Sequence, residues 1–438
     1  MSTKVVKFGG SSLADAAHFK QVAGIIAQDP ARRFVVPSAP GKRHKTDEKV
    51  TDMLYRCYEM VRNREPIDEY YKRIETRYND IIKGLGMSFD ISGELAYIKN
   101  TLTYVAGRDY AASRGEYLNG IILAKYLGFD FVDPESVIFF KENGTFDAER
   151  TNAVLSAELA KHKNAVIPGF YGSMPNGTIR TFSRGGSDVT GSIVARAVEA
   201  DLYENWTDVS GFKMADPRVV KDPPTIETIT YLELRELSYM GATVLHEDAI
   251  FPVREAGIPI NIRNTNAPDD KGTMIVPHAE GYDARHVITG VAGKKGFSII
   301  NIDKDLMNAE VGFGRRVLEV LEDYDVSFEH LPSGIDTMGV IVASAAIEGK
   351  RDRLLRGITR AVRADRVEII DGLCLIAVVG RGMVKARGTA ARVFNAVYSA
   401  GVNIRMIDQG SSELNIIIGV NEDDYEAALT AIFNEFVK

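Results

Sequence analysis

Two cations beside glycine pairs and small hydroxyls carry the chemical interest of this chain. They are Lys7, in Val5-Val6-Lys7-Phe8-Gly9-Gly10-Ser11-Ser12, and Arg184, in Phe182-Ser183-Arg184-Gly185-Gly186-Ser187-Asp188. In the first segment an apolar strand ends in the lysine, and an amphipathic helix is expected to start near Leu13. Gly9 and Gly10 have no Cβ, so the backbone can turn tightly and present amide N–H groups outward. A helix N-terminus adds partial positive charge and Lys7 a full one, which together suit a phosphate. The spacing is not that of a Walker A loop. A glycine pair at a strand end is also an ordinary turn, so a second signal is needed. The Arg184 segment supplies it. It opens a helix expected over about Val189–Ala200, which Ser187 or Asp188 could cap. A cap accounts for one of those residues, but not for an arginine, two glycines and an acid together.

Elements must place these residues side by side. A third polar turn, Glu204-Asn205-Trp206-Thr207-Asp208-Val209-Ser210-Gly211 followed by Ala215-Asp216-Pro217-Arg218, reads as a strand end. Strand candidates are Lys4–Phe8, Arg33–Val36, Ala165–Pro168, Asp201–Trp206 and Ile258–Arg263. They alternate with helical segments to about residue 280, the pattern of an α/β domain. Three strand-end loops bearing Lys, Arg, Asp and Gly imply one crevice at the carboxyl ends of a mostly parallel sheet. The polar stretch Lys42–Lys49 reads as a solvated loop, or as a flap whose basic residues meet phosphates. From Asp52 to about Ile82 apolar residues recur at helical spacing, and Pro66 splits the run into two helices.

Composition bounds the rest. At 438 residues two or three domains are expected. A net charge of −7 with mixed signs argues against a nucleic-acid partner. Cys57 and Cys374 make no disulfide framework and have no metal-type spacing. Without a signal peptide or long apolar run, a cytoplasmic protein with no membrane partner is expected.

The last 150 residues or so repeat internally. Val326 to Val342 recurs as Val402 to Ile418, a constant offset of 76 that also maps Gly312 onto Gly388. Each copy reads strand, glycine loop, helix, strand, strand, helix, a ferredoxin-like βαββαβ order.

On these segments, and on Gly241-Ala242-Thr243-Val244-Leu245-His246, the chain resembles the aspartokinases. The resemblance implies an amino-acid kinase domain over 1–280 and two ACT domains. ACT domain 1 (297–370) would be inserted into ACT domain 2 (285–296 plus 371–438). It implies transfer of the γ-phosphoryl of ATP, carried with Mg2+, to the β-carboxylate of L-aspartate. Lys7 would touch the transferring phosphoryl, with Asp188 organising it or meeting the substrate ammonium. Ser38, Thr51, Glu116, Arg184 and Ser187 would hold aspartate, Glu116 at its α-amino group. Gly9, Gly10, Ser11, Thr207, Asp208, Gly211, Lys213 and Arg218 would hold the nucleotide, and no dedicated metal-ligand cluster is expected. Thr243 stands where many members carry lysine, and Lys213 would partly replace that charge; an unchanged ATP Michaelis constant in Lys213→Ala would contradict this. His246 is read as structural. The loop Met307–Gly314, with Met307, Gly312, Phe313 and Gly314, and the acid Glu329 would bind an amino-acid effector, by resemblance lysine, with threonine a second candidate. An ACT pair serving only as a dimer interface is the competing reading. A homodimer or dimer of dimers through ACT edges is expected, and the length leaves no room for a fused homoserine dehydrogenase. Another amino-acid kinase is disfavoured by the repeat and by Arg184–Asp188; a catalytically dead sensor is disfavoured because Lys7, Arg184 and Asp208 are all present.

Overall fold

A computed structural model describes residues 2–104, 107–183, 185–241, 247–279 and 287–437. Arg184, Thr243 and His246 therefore lie outside the described residues. The chain divides into two compact units. The first comprises Met1–Phe212, Thr225–Tyr231 and Val244–Ala279; the second comprises Lys213–Pro224, Leu232–Thr243 and Glu280–Lys438. Two segments within 1–280 thus belong to the second unit.

The strands of the first unit are β1 (Lys4–Phe8), β2 (Arg32–Pro37), β3 (Asp130–Phe131), β4 (Ala165–Val166), β5 (Tyr171–Ser173), β6 (Ile179–Thr181), β7 (Leu202–Thr207), β8 (Thr228–Thr230), β9 (Ile260–Asn264) and β10 (Thr273–Val276). Eight form one sheet in the order β3-β4-β2-β1-β7-β9-β10-β8, parallel except between β9 and β10. β5 and β6 form a separate ribbon. Apolar runs such as Val5-Val6 and Phe34-Val35-Val36 fill the middle of the sheet because it is covered on both faces. The helices are α1 (Ala16–Ala27), α2 (Val50–Arg62), α3 (Asp68–Leu85), α4 (Ser92–Tyr104), α5 (Arg108–Leu127), α6 (Ala148–Leu159), α7 (Gly186–Ala197), α8 (Tyr231–Tyr239) and α9 (Glu247–Glu255). All but most of α8 lie in the first unit. The break at Pro66 falls between α2 and α3, as the sequence implies.

Helix starts differ from expectation in two places. The chain after Gly9 makes a 3-10 turn, Gly10–Leu13, and α1 begins only at Ala16, where the Asp15 carboxylate accepts the Ala17 and His18 amides. α7 begins at Gly186, and neither Ser187 nor Asp188 caps it. Gly185 enters the helix in the left-handed region (φ +58°), open to glycine at little cost. Gly186 must also be glycine-small, because a Cβ would lie 2.4 Å from the Phe170 ring.

The 42–49 stretch is a solvated loop, exposed at residues 42–46 and at Lys49, and it is tied down at Asp47 and Glu48. Asp47 receives Arg43 (2.9 Å) and Arg77 (2.6 Å), while Glu48 accepts from Tyr70 (2.6 Å) and Arg73 (3.0 Å).

In the second unit β11 (Gly290–Asp303), β12 (Phe328–His330), β13 (Thr337–Ala343), β14 (Arg366–Val379), β15 (Met406–Asp408) and β16 (Asn415–Asn421) form an antiparallel sheet in the order β12-β13-β11-β14-β16-β15. Its helices are α10 (Phe313–Asp323), α11 (Arg351–Val362), α12 (Thr389–Ser399) and α13 (Tyr425–Phe436). Gly290–Lys294 pairs with Leu375–Val379, whereas Phe297–Asp303 pairs with both β13 and the first half of β14. Two separate cores result, one around Ile300, Phe313 and Leu354, the other around Val291, Ile376 and Leu429. The constant offset of 76 holds for α10 and α12, but β13 and β16 stand 78 apart, because the connection into β15 is two residues longer. A slip of two leaves the alternation of faces intact, so the hydrophobic pattern could not reveal it.

Candidate active site

The strand order reverses direction beside β1: β2 lies on one side and the much later β7 on the other. Such a switch point opens a crevice at the carboxyl ends of the strands. Lys7 is the penultimate residue of β1 and is paired in register with Asn205 on β7. The residue is 7% exposed, and its ammonium sits 2.6 Å from Asp188 Oδ1 in the first turn of α7. The Asn205 amide donates to the same oxygen (2.8 Å). Asn205 was not singled out from sequence; its only signal was its place one strand-residue from Trp206, in register with Lys7. This arrangement holds a cation and a helix N-terminus at one point, where charge of a transferring anion could be offset.

The loop after β1 lies flat against its neighbours. The Gly9 amide donates to Trp206 O (3.1 Å), and the Gly41 amide donates to Gly10 O (2.8 Å). A Cβ on Gly10 would lie 2.8 Å from Ala39 O, and one on Gly41 would lie 2.6 Å from Gly10 C. Both positions therefore demand glycine, and they seam the β1 loop to the β2 loop. Ser11 is exposed beside this seam.

On the other side of Lys7 stand the residues expected at the acceptor. The Ser38 amide donates to Phe8 O (3.0 Å), and Ser38 O accepts from the buried Asn119 amide (2.7 Å). Thr51 lies in the first turn of α2 against Gly115 of α5, whose Cβ, if present, would be 3.7 Å from Thr51 Oγ1. Glu116, the next residue, is 5% exposed, and its Oε2 has no hydrogen-bond partner. Burial pushes its carboxyl up to about 8, although the Ala39 amide, Arg114 and Lys7 oppose the shift. Ser187 is buried at the start of α7, its side chain against Gly169, where a Cβ would come within 2.6 Å.

Of the nucleotide-side candidates, Thr207 ends β7 and donates to the exposed Asp208 (3.2 Å). Gly211 turns at φ +91° with no room for a Cβ beside Thr273 Oγ1 (2.3 Å). Lys213 and Arg218 belong to the second unit. Lys213 is exposed, and Arg218 folds back on Asp216 (2.6 Å). Among the described residues no three acids, histidines or cysteines cluster as a metal site. Lys7 and Asn205 both contact Asp188 Oδ1; a Mg2+ ion carried by ATP would be held chiefly by phosphate and water oxygens, in keeping with its reluctance to dehydrate. Burial pushes the thiols of Cys57 and Cys374 up to about 12, which leaves both protonated at neutral pH. No described helix is long and apolar enough to cross a membrane.

In the second unit the loop after β11 makes a 3-10 turn, Met307–Ala309, and Gly312 (φ +78°) leads into α10. The side chains of Met307 and Phe313 are buried in the core, so only their backbone faces the loop. Gly314 is unobstructed, with its nearest neighbour, Met338, at 3.6 Å from a Cβ position. Glu310 pairs with Arg316 and Lys304 rather than pointing free. Glu329 on β12 accepts the hydroxyl of Tyr239, a contact invisible in sequence because 90 residues separate the pair.

The model of the amino acid kinase family matches residues 2–264, and an ACT domain model matches residues 376–436. Aspartokinase 3 of Bacillus subtilis is 38% identical over 99% of this chain and 98% of its own length. The crystal structure of Clostridium acetobutylicum aspartate kinase superposes with a TM-score of 0.94 at 53% identity, covering 99% of this chain and all of that one. The fold is shared too by E. coli aspartokinase III in complex with lysine and aspartate (T-state), with a TM-score of 0.73 at 24% identity and full coverage of both chains. With the amino acid kinase model matched over more than half of its residues and likeness to a curated aspartokinase along its whole length, this chain belongs to the aspartokinase family.

Proposed function

We propose that the crevice around Lys7 transfers the γ-phosphoryl of ATP to the β-carboxylate of L-aspartate, giving 4-phospho-L-aspartate, the first step toward the aspartate-derived amino acids lysine, threonine and methionine. The observation that carries the reading is the buried carboxyl of Glu116, with Oε2 left without a hydrogen-bond partner, on the acceptor side of a buried lysine. A carboxylate acceptor is already ionised at neutral pH, so no general base is required. What the reaction needs is in-line placement and relief of repulsion between two anions, about 4 kcal/mol per pair of unit charges at ~4 Å and an effective dielectric of ~20. Lys7 touches the moving phosphoryl group, and Asp188 with Asn205 aims its ammonium. Gly10 and Ser11 donate to the phosphates, while Gly9, whose amide is spent on Trp206 O, keeps the approach to them open for lack of a Cβ; Thr207, Asp208 and Gly211 line the nucleoside side, with Lys213 and Arg218 assigned to the phosphates by resemblance. Arg184, Ser187, Ser38 and Thr51 bind the two carboxylates of aspartate, and Glu116 binds its ammonium. Magnesium arrives with ATP and offsets its charge.

Regulation is assigned to the repeat, read as two ACT domains: 297–370 inserted between 285–296 and 371–438. The separate cores and the divided pairing of β11 support this boundary. The effector is proposed to be lysine, bound through the Met307–Gly314 backbone and Glu329; the lysine complex of the E. coli relative supports the choice. Exposed Leu306, Val311 and Ile335 suit an edge that pairs with a second copy, in a homodimer or dimer of dimers. The enzyme is taken to be cytoplasmic. ADP release with L-aspartate and MgATP, with and without lysine, tests the whole reading. Aspartate-dependent turnover suppressed by lysine is expected; turnover without suppression would remove the effector assignment, and no turnover would remove the acceptor.

A further inference from the structure

We propose that Arg77 is a positioning residue for phosphoryl transfer, its one buried guanidinium setting the distance between the phosphate loop after β1 and the acceptor-side loop after β2. Arg77 lies on α3 and is only 3% exposed. Nη1 donates to Ala14 O (3.3 Å), at the end of the phosphate loop, and to Gly41 O (3.1 Å), three residues beyond Ser38. Nη2 donates to Asp47 Oδ2 (2.6 Å) and to Glu48 O (3.4 Å). One side chain therefore gathers three pieces of backbone, Ala14, Gly41 and Glu48, that are otherwise linked only by the single amide bonds Gly41 N to Gly10 O and Val50 N to Pro40 O. It stands behind the Gly10–Gly41 seam, so the seam is closed by an amide bond on one side and by Arg77 on the other.

The chemistry asks for arginine. Its planar fork reaches several acceptors in fixed directions, whereas a lysine ammonium is a point donor on a flexible stem. Docking of α3 does not explain the residue. Tyr71, Ile74, Tyr78, Ile81 and Leu85 already bury an apolar face. An apolar residue at position 77 would dock the helix as well, because a buried ion pair seldom adds net stability. Burial indeed pulls the Arg77 guanidinium below its usual range, a cost the fold bears for geometry.

The proposal rests on the assignment of the two loops to nucleotide and aspartate, so the test begins with the unaltered enzyme. If it shows no aspartate-dependent ADP release, that assignment falls, and this proposal with it. With turnover established, Arg77→Lys is compared for kcat, both Michaelis constants, circular dichroism and melting temperature. Misplacement of reacting groups by about 1 Å costs roughly 10²-fold. The expected result is a fall in kcat of that order, both Michaelis constants several-fold higher, and a melting transition within a few degrees of the original. Arg77→Ala should regain part of its kcat on addition of methylguanidinium. Kinetic constants within twofold of the original in Arg77→Lys, or an activity loss that merely tracks unfolded protein and is not rescued, would overturn the proposal. If both variants fail to fold, Asp47→Ala, which leaves Nη2 only the long contact to Glu48 O, decides: a fall in kcat of about tenfold is expected, and unchanged constants would overturn it.

Discussion

Glu116→Gln should erase a pH dependence that the unaltered enzyme shows around pH 8. The buried carboxyl of Glu116 is pushed from 4.5 up to about 8, chiefly by burial. Between these values the folded protein holds a proton that the unfolded chain has lost. Stability therefore falls as pH rises from about 4.5 to about 8 and levels off above, by a total of about 5 kcal/mol for a shift of this size. The same ionisation favours substrate. In the role proposed for Glu116 only the carboxylate pairs with the aspartate ammonium, so kcat/KM for aspartate should rise about tenfold per pH unit until about pH 8 and then flatten. Glutamine cannot supply the charge. Losing one partner of a buried charged pair costs about 3 kcal/mol, so above pH 8 the variant should be roughly 10²-fold poorer in kcat/KM. Near pH 6 the two enzymes should converge, since a protonated glutamate resembles glutamine. The assay is initial-rate ADP release at varied aspartate from about pH 6 to 9, with urea midpoints over the same range. A constant ratio between variant and original at every pH, or a flat profile in the original, would exclude Glu116 as the ammonium site.

Other outcomes follow from the same geometry. Asp188→Asn weakens the contact that aims Lys7 (2.6 Å) and should lower kcat by about 10²-fold while leaving the melting temperature within a few degrees; a kcat within threefold would remove Asp188 from the machinery. Gly41→Ala drives a Cβ to 2.6 Å from Gly10 C, so the seam must open, and both Michaelis constants should rise with kcat falling at least tenfold; unaltered kinetics would show that the seam tolerates displacement. Tyr239→Phe removes the hydroxyl bonded to Glu329, and should move half-inhibition to roughly fivefold lower lysine, about 1 kcal/mol. An unmoved midpoint would argue against Glu329 as the ammonium site.

The central strands were legible because each is a short apolar run ending in glycine or polar residues, as at Lys4–Phe8 and Asp201–Trp206. The repeat was legible because two copies of one hydrophobic pattern reinforce each other, yet the two-residue slip between β13 and β16 was hidden by the period of a strand. Helix starts were missed where glycine replaced a side-chain cap, as at Gly185–Gly186, or where a 3-10 turn intervened after Gly10. Lys7, Glu116 and Ser187 could be named from motifs, but the buried state of Glu116 could not, since its local sequence is that of an ordinary helix. Arg77 and Asn205 went unnoticed because their roles depend on partners far along the chain: Asp47 and Ala14 for one, Asp188 for the other.

In the proposed reaction Lys7 drives transfer to an aspartate carboxylate. Acyl phosphates react with hydroxylamine, so trapping the product of L-aspartate and MgATP as its β-hydroxamate reads the transfer directly. The unaltered enzyme should give aspartate-dependent hydroxamate, and Lys7→Ala a yield roughly 10²–10³-fold lower. Hydroxamate formed equally well by both proteins, or none from either, would contradict it.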